Sequence, residues 1–425
     1  MNLPGNNTIS IDQLEIGMYV YLDLKWFQHP FAFNNFKIRD HEQIETIRGL
    51  GLKKLRYDPA RSDSKPAPSA PPPAPEVQPP ALKEHPALAA KRALIEKIRL
   101  QREAAARIES AFIDTAKTIR NVEKNLMADP EATVEQANKL VVQIADSILS
   151  VPELALHVMG DKIGGEELYF HSLNVTTLSL MMARNVGLTQ EGMRILGMGA
   201  LFHDIGRREI PNKILMKTDP LTQAERNYYE MHCQYGIEIG RTLKFPPATL
   251  HIIHEHHEMH DGSGYPRKLK GEEINLLARI VAIANYYDNL CNPIILGNAL
   301  TPHEALSTMF AKHRAKFDPK LLQIFVHSLG VYPPGTVIQL SNGAIGMVAT
   351  VNTAKPMKPM IVVYDAEIPK EEAILIDLEH EEDVNIAKAI RPAQLPREIY
   401  NYLSPRKQVS YYFDAGNPNK DAAKA

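Results

Sequence analysis

Apolar positions recur at i, i+3 and i+4 over residues 173–186, 192–202, 222–243 and 275–291. That period predicts helices with one buried face, so 151–330 reads as a mainly helical section. Breaking signals separate the helices: Gly187, Ile210-Pro211, Phe245-Pro246-Pro247 and a turn over Gly262–Pro266. Residues 87–150 keep the helical period with few Gly or Pro, apart from a break at Asp129-Pro130. Within them, 88–126 is a candidate long helix. It reads as an arm packed on the next domain or, alternatively, as a dimerisation helix that would make a homodimer.

The pattern changes on both sides. After residue 330 come three short β-rich runs, VYPPGTVIQL, AIGMVATV and MIVVYDAEI, with Gly, Pro and Asn between them. They predict a small β-barrel-like or meander module over 331–415, followed by a polar tail at 416–425. At the other end, MYVYLDL (18–24) is rich in β-formers. Asp40 with Gln43 resembles a capping box, Gly51 is a plausible helix stop, and LKKLRY (52–57) reads as a closing strand. Residues 1–60 are therefore a small α+β unit. The stretch 61–86 contains SKPAPSAPPPAPEVQPP, which can neither fill a helix nor pair in a sheet, and reads as a semi-extended linker. The fold class is multidomain: an all-α core, a small α+β N-terminal domain and a small β-rich C-terminal module.

Composition narrows the function classes. Lys and Arg total 48 against 50 Asp and Glu, a formal net charge of -2. No basic excess exists to neutralise a phosphate backbone, so neither DNA nor RNA is an expected partner. Cys233 and Cys291 are in no metal-like spacing, which argues against a disulfide framework and fits a reducing compartment. No leader-like segment and no apolar run near the ~20 residues of a membrane span is visible. The expectation is a cytoplasmic protein without a membrane span.

The chemistry concentrates in HIIHEHHEMHDGSGYP (251–266), with His203-Asp204 in LFHDIG and single histidines at His171 and His232. Histidine is the commonest metal-binding side chain near neutral pH. Adjacent His203 and Asp204 in a helical segment would offer ligands to neighbouring ions, the carboxylate bridging them. Gly206 would allow close approach of a backbone or ligand. His256 and His257 on a helix would diverge by about 100° and reach different ions. Glu258 is a candidate to orient a ligand histidine. The loop Asp261–Pro266 has two glycines able to take positive φ and would wall a pocket for a planar base. His251, His254 and His260 read as bystanders.

In order and spacing, HSLNV (171–175), HDIG (203–206), IPNKILMKTDPLTQAE (210–225), MHCQYG (231–236), HHEMHDGSGYP (256–266) and LARIVAIANYYDNL (277–290) resemble the HD-GYP domain, a branch of the HD phosphohydrolase superfamily. QLEIGMYVYLDLKWFQHPFAFNNFKI resembles a domain of unknown function found ahead of some HD-GYP domains. The resemblance implies an HD-type helical core and a cyclic di-GMP phosphodiesterase yielding linear pGpG or GMP. It implies two or three divalent ions, iron or manganese. Carried over, the metal ligands are Glu167, His171, His203, Asp204, His232, His256, His257 and Asn285. Asp204 and Arg207 would be catalytic; Arg207, Gly264, Tyr265 and Pro266 would be substrate-binding. Diguanylate cyclases (GGDEF proteins) are an implied partner.

Three departures stand out. Asn285 occupies the place of a ligating Asp, with Asp288 matching the second Asp of that motif. Arg207 replaces the usual Lys. The segment 289–302, NLCNPIILGNALTP, has no Lys or Arg where many members carry a phosphate-gripping basic motif. Lys312, Arg314 and Lys316 would compensate only if folding brings them close. These departures motivate the alternative function, a non-catalytic module that senses cyclic di-GMP or docks diguanylate cyclases.

Overall fold

The computed structural model describes residues 7–65 except 25–27 and 32, scattered positions between 118 and 126, residues 128–150, and residues 167–403 except 294–297, 353, 367, 369, 371, 372 and 382. Residues 66–86 of the expected linker lie outside the described residues, and so does nearly all of the candidate helix 88–126. The linker's first residues instead bond to the N-terminal module, Asp63 N donating to Gly17 O and Ser64 Oγ to Ile16 O, each at 2.8 Å. The chain divides into two compact units, Met1–Arg102 and Glu103–Ala425.

Among its described residues, the first unit is a four-stranded antiparallel sheet with one α-helix. Its strands are β1 (Thr8–Ser10), β2 (Tyr19–Tyr21), β3 (Asn35–Lys37) and β4 (Lys54–Asp58), in spatial order β1-β4-β2-β3. The period of two puts Ile9, Val20 and Leu55 into the core, where Ile44 and Ile47 of α1 (His41–Arg48) join them. Asp40 caps α1 by accepting from the Gln43 backbone N–H at 2.8 Å. The expected stop is displaced: Gly49 caps the helix, and Gly51 takes φ +74° in the turn that follows. The closing strand β4 lies between β1 and β2 in the sheet.

The second unit is helical over most of its length. It contains α2 (Pro130–Ser150), α3 (Glu167–Val186), α4 (Gln190–Leu201), α5 (Gln223–Glu230), α6 (His232–Thr242), α7 (Pro247–Glu255), α8 (Leu276–Cys291), α9 (Pro302–Ala311) and α10 (Pro319–Leu329). Asp129 and Pro130 start α2, Asp129 Oδ1 accepting from Ala132 N at 3.2 Å. Gly187, at φ +80°, ends α3, and Thr189 caps α4. Ten of the sixteen residues of α8 are buried, so this helix is the centre of the core rather than a one-sided surface element. The segment expected as one helix, 222–243, is two. Met231 separates α5 from α6 and leaves His232 at the start of the second.

The C-terminal module is a five-stranded antiparallel sheet of β5 (Val337–Leu340), β6 (Ile345–Thr350), β7 (Met360–Val363), β8 (Ile374–Asp377) and β9 (Ile386–Ile390), in order β8-β7-β6-β5-β9. It is a meander over β5 to β8, with β9 returning beside β5. A helix, α11 (Arg397–Leu403), follows. The molecule thus has a helical core with two small antiparallel sheets near its ends. No helix among the described residues is long and apolar enough to cross a membrane.

Candidate metal centre

The site is assembled largely from helix ends. A helix leaves its last carbonyls without intrahelical donors, and three histidines use such carbonyls. His203 follows α4 and bonds Ala200 O through Nδ1 at 2.6 Å; His256 follows α7 and bonds Ile253 O at 2.8 Å. His232 follows α5 and bonds Tyr229 O at 2.7 Å. In each case Nδ1 is the donor, which leaves Nε2 unprotonated and free to ligate. Both His-Asp and His-His pairs therefore lie in turns beyond helices, not within helical segments as expected. Helical spacing ran on through the preceding apolar residues and hid the boundary.

His171 sits inside α3 and needs another partner. Its Nδ1 meets Asp288 Oδ2 at 2.7 Å, while Asn174 and Asn292 each donate to Asp288 Oδ1 at 2.8 Å. Asp288 is fully buried. Asn174 and Asn292 went unnoticed in the sequence, although their spacing (three residues after His171, four after Asp288) puts each on its partner's helical face.

The Nε2 atoms converge on Asp204. Its Oδ2 lies 3.2 Å from His203 Nε2 and 3.6 Å from His171 Nε2. Its Oδ1 lies 3.5 Å from His232 Nε2 and 3.6 Å from His256 Nε2. Two ligand groups result, His171-His203-Asp204 and Asp204-His232-His256-His257, each with its ligand atoms within 4.8 Å of one another. Asp204 belongs to both.

The donor set fits divalent metal ions. Both Asp204 oxygens and His257 Nε2 are buried without a hydrogen-bond partner, a cost that a bound cation removes. Burial drives His256 down to about 3 and holds His232 and His257 below the usual histidine range, so these rings are neutral donors. Burial alone would protonate Asp204, but Arg207 and the neighbouring histidines hold its carboxyl well below the ordinary range. For His171, burial disfavours charge, yet the hydrogen bond to Asp288 and the nearby carboxylates of Asp204 and Asp288 prevail and raise it to about 9.

Arg207 Nε lies 3.0 Å from Asp204 Oδ1, out of hydrogen-bonding alignment. Gly206 permits this geometry: a Cβ there would fall 1.9 Å from His232 O and 2.5 Å from Gly236 N. The expected close approach is thus to the backbone of α6.

The Gly-Tyr-Pro loop folds onto the ligands. Tyr265 stacks on His257 with centroids 4.6 Å apart, and its N–H donates to His257 O at 3.2 Å. A Cβ at Gly264 would meet His257 O and Met259 N at 2.4 Å, so only glycine fits. Pro266 is exposed at the loop's outer edge. Glu258 does not orient a histidine; its buried carboxylate accepts from Arg267 N at 2.6 Å and Leu269 N at 3.0 Å, fastening the chain after Pro266.

The remaining expected residues fall around this centre. Asn285 is buried on α8 one turn before Asp288, and its Oδ1 accepts from Asn289 Nδ2 at 2.7 Å. The Glu167 side chain lies outside the described residues. His251, His254 and His260 belong to neither ligand group. Of the basic residues downstream, Lys316 reaches the loop, with Nζ 3.2 Å from Ser263 Oγ, whereas Arg314 sits over Phe310.

Comparison with known proteins agrees with this geometry. Residues 122–321 match the HD domain family model, 6–137 a domain of unknown function (DUF3391), and 337–398 a KOW domain associated with the HD domain. The chain is 28% identical over 422 residues to cyclic di-GMP phosphodiesterase PA4108 of Pseudomonas aeruginosa, covering 97% of this chain and 99% of that protein. It is 39% identical over 142 residues to the cyclic di-GMP phosphodiesterase response regulator RpfG of Xanthomonas campestris, covering 33% of this chain and 38% of that protein. It is 28% identical over 221 residues to 3'3'-cGAMP-specific phosphodiesterase 2 of Vibrio cholerae, covering 52% and 39%. All three models match in this order along the chain, and with these relatives they support an HD domain of HD-GYP type over residues 122–321.

Proposed function

We propose that this chain is a metal-dependent phosphodiesterase that hydrolyses cyclic di-GMP to linear pGpG or GMP. The observation that carries the reading is the Asp204 carboxylate, whose two unpaired oxygens face two different sets of histidine nitrogens. His171, His203, Asp204, His232, His256 and His257 would hold the ions, with iron or manganese the metals that suit the family. Bound there, divalent ions supply Lewis-acid charge to a phosphoryl oxygen and make water a nucleophile near neutral pH. The chain's own groups do the rest. Hydrogen bonds at Nδ1 keep the imidazoles in their ligating tautomer, Arg207 meets a non-bridging phosphate oxygen, and the loop at Tyr265 shields His257 from solvent. The two ligand groups form without Asn285, which favours a working centre over a degenerate one. The full-length relative named as a cyclic di-GMP phosphodiesterase supports the same substrate.

The test pairs metal analysis with hydrolysis assays on the wild type and His203→Ala, using cyclic di-GMP and 3'3'-cGAMP. Wild type should carry metal and release pGpG or GMP, and His203→Ala should lose both. A fully metal-loaded wild type that leaves cyclic di-GMP intact sinks the proposal. Faster turnover of 3'3'-cGAMP would reassign the substrate.

A further inference from the structure

Tyr229 belongs to neither ligand group, yet it touches both the cluster and its cation. Its carbonyl fixes the His232 tautomer, and its ring lies 5.0 Å from the His232 ring. Its side chain also faces Arg207, whose guanidinium carbon is 5.5 Å from the ring centroid. Burial pushes the Tyr229 hydroxyl up, while the charge of Arg207 pulls it back. Arg207 in turn lies beside Asp204, with its buried Nε unsatisfied.

An unrestrained Arg side chain has rotamer entropy to lose on binding. Packing of the guanidinium against an aromatic face removes part of that freedom in advance. The need is acute in this chain, because 289–302 has no Lys or Arg to grip a phosphate. An Arg can stack on an aromatic face with its planar fork, an arrangement a Lys ammonium at the same place would not reproduce.

We infer that Tyr229 is a positioning residue that holds the Arg207 guanidinium beside the metal ligands, so that its free N–H meets a non-bridging oxygen of the cyclic dinucleotide phosphate. This deepens the proposed function and rests on it. Tyr229 acts through Arg207, so its removal weakens substrate binding and leaves the ligand set intact.

The test is a double-mutant cycle of wild type, Tyr229→Leu, Arg207→Ala and the double variant. Each protein is measured for metal content, for KM and kcat with cyclic di-GMP, and for cyclic di-GMP affinity by calorimetry. Tyr229→Leu should keep its metal and raise KM and Kd by about tenfold. With Ala at 207 the same change should have no further effect. Tyr229→Phe keeps the ring and should give a smaller rise, about threefold, and it remains informative should the Leu variant fold poorly. An equal loss with and without Arg207, a loss of metal, or unchanged KM and Kd in both variants overturns the inference. Wild type that neither binds nor hydrolyses cyclic di-GMP is a separate result, which removes the proposed function and this inference with it.

Discussion

An imidazole ligates through a nitrogen that carries no proton, so the partner of its other nitrogen decides whether it is ready. His203, His232 and His256 rely on backbone carbonyls, which no side-chain substitution removes. His171 relies on Asp288, whose oxygens accept only from donors: His171, Asn174 and Asn292. An Asn in that place would set an amide N–H against a donor. Asp288→Asn should therefore lower metal affinity by about 10–100-fold with the fold intact, as read by metal titration. His171 also carries a pH signature. Burial opposes its charge, but Asp204 and Asp288 raise it from 6.5 to about 9. A raised folded-state value means stabilisation that is complete below 6.5 and lost as pH rises through about 9. Metal-free protein should melt progressively lower between those values in chelator, and Asp288→Asn should flatten the slope. The ligand histidines were legible as residues because pairs and spacing mark them. The asparagines around Asp288 were not, since Asn at helical spacing has many ordinary uses.

At the scale of elements, the centre depends on where helices stop. The start of the helix at residue 222 was legible from its period, and Thr222 and Glu225 close it in a capping box with bonds of 2.8 and 3.3 Å. The stop at Met231 was not. It accompanies a local bond from His232 back to Tyr229 O and a tertiary contact, the packing of Ile205–Glu209 against α6. Gly206 is the hinge of that packing. Its missing Cβ would lie 1.9 Å from a backbone oxygen that cannot move without displacing His232. Gly206→Ala should cost about 4 kcal/mol or more in denaturant unfolding, at the diagnostic end for single substitutions. Gly192 is the control. It lies in the first turn of α4 with ordinary φ, and the nearest atom to a built Cβ is Thr189 Oγ1 at 3.4 Å. Gly192→Ala should stabilise by about 0.5–1 kcal/mol, the helix-propensity gain, and leave metal content unchanged. If both glycines respond alike, close backbone approach is not what Gly206 provides.

Across the whole molecule, the change of composition at 61–86 marked an expected boundary after the N-terminal module, whereas the contacts divide the chain between Arg102 and Glu103, within the expected helical arm. The C-terminal sheet was only partly legible. Three of its strands were anticipated, but ILID and IAKAI are too short to stand out without the partners they pair with. This sheet is joined to the helical core by His303, stacked on Tyr332 at 4.8 Å with Nδ1 bonded to Val331 O, and by an ion pair of 2.6 Å between Arg391 and Glu304. Arg391 is 61% exposed, so the ion pair contributes little and the stacking and packing matter more. All the candidate ligands belong to the second unit, and none to the first. A ligand that binds only one folded unit stabilises that unit by RT ln(1 + [L]/Kd), about 4 kcal/mol at a thousandfold excess over Kd. Calorimetry should therefore resolve two transitions, with added manganese or iron(II) raising the one that belongs to the helical unit and leaving the other in place. His203→Ala should abolish the shift. A single transition that moves as a whole on metal addition would mean that the two units fold as one, and that the site draws stability from both.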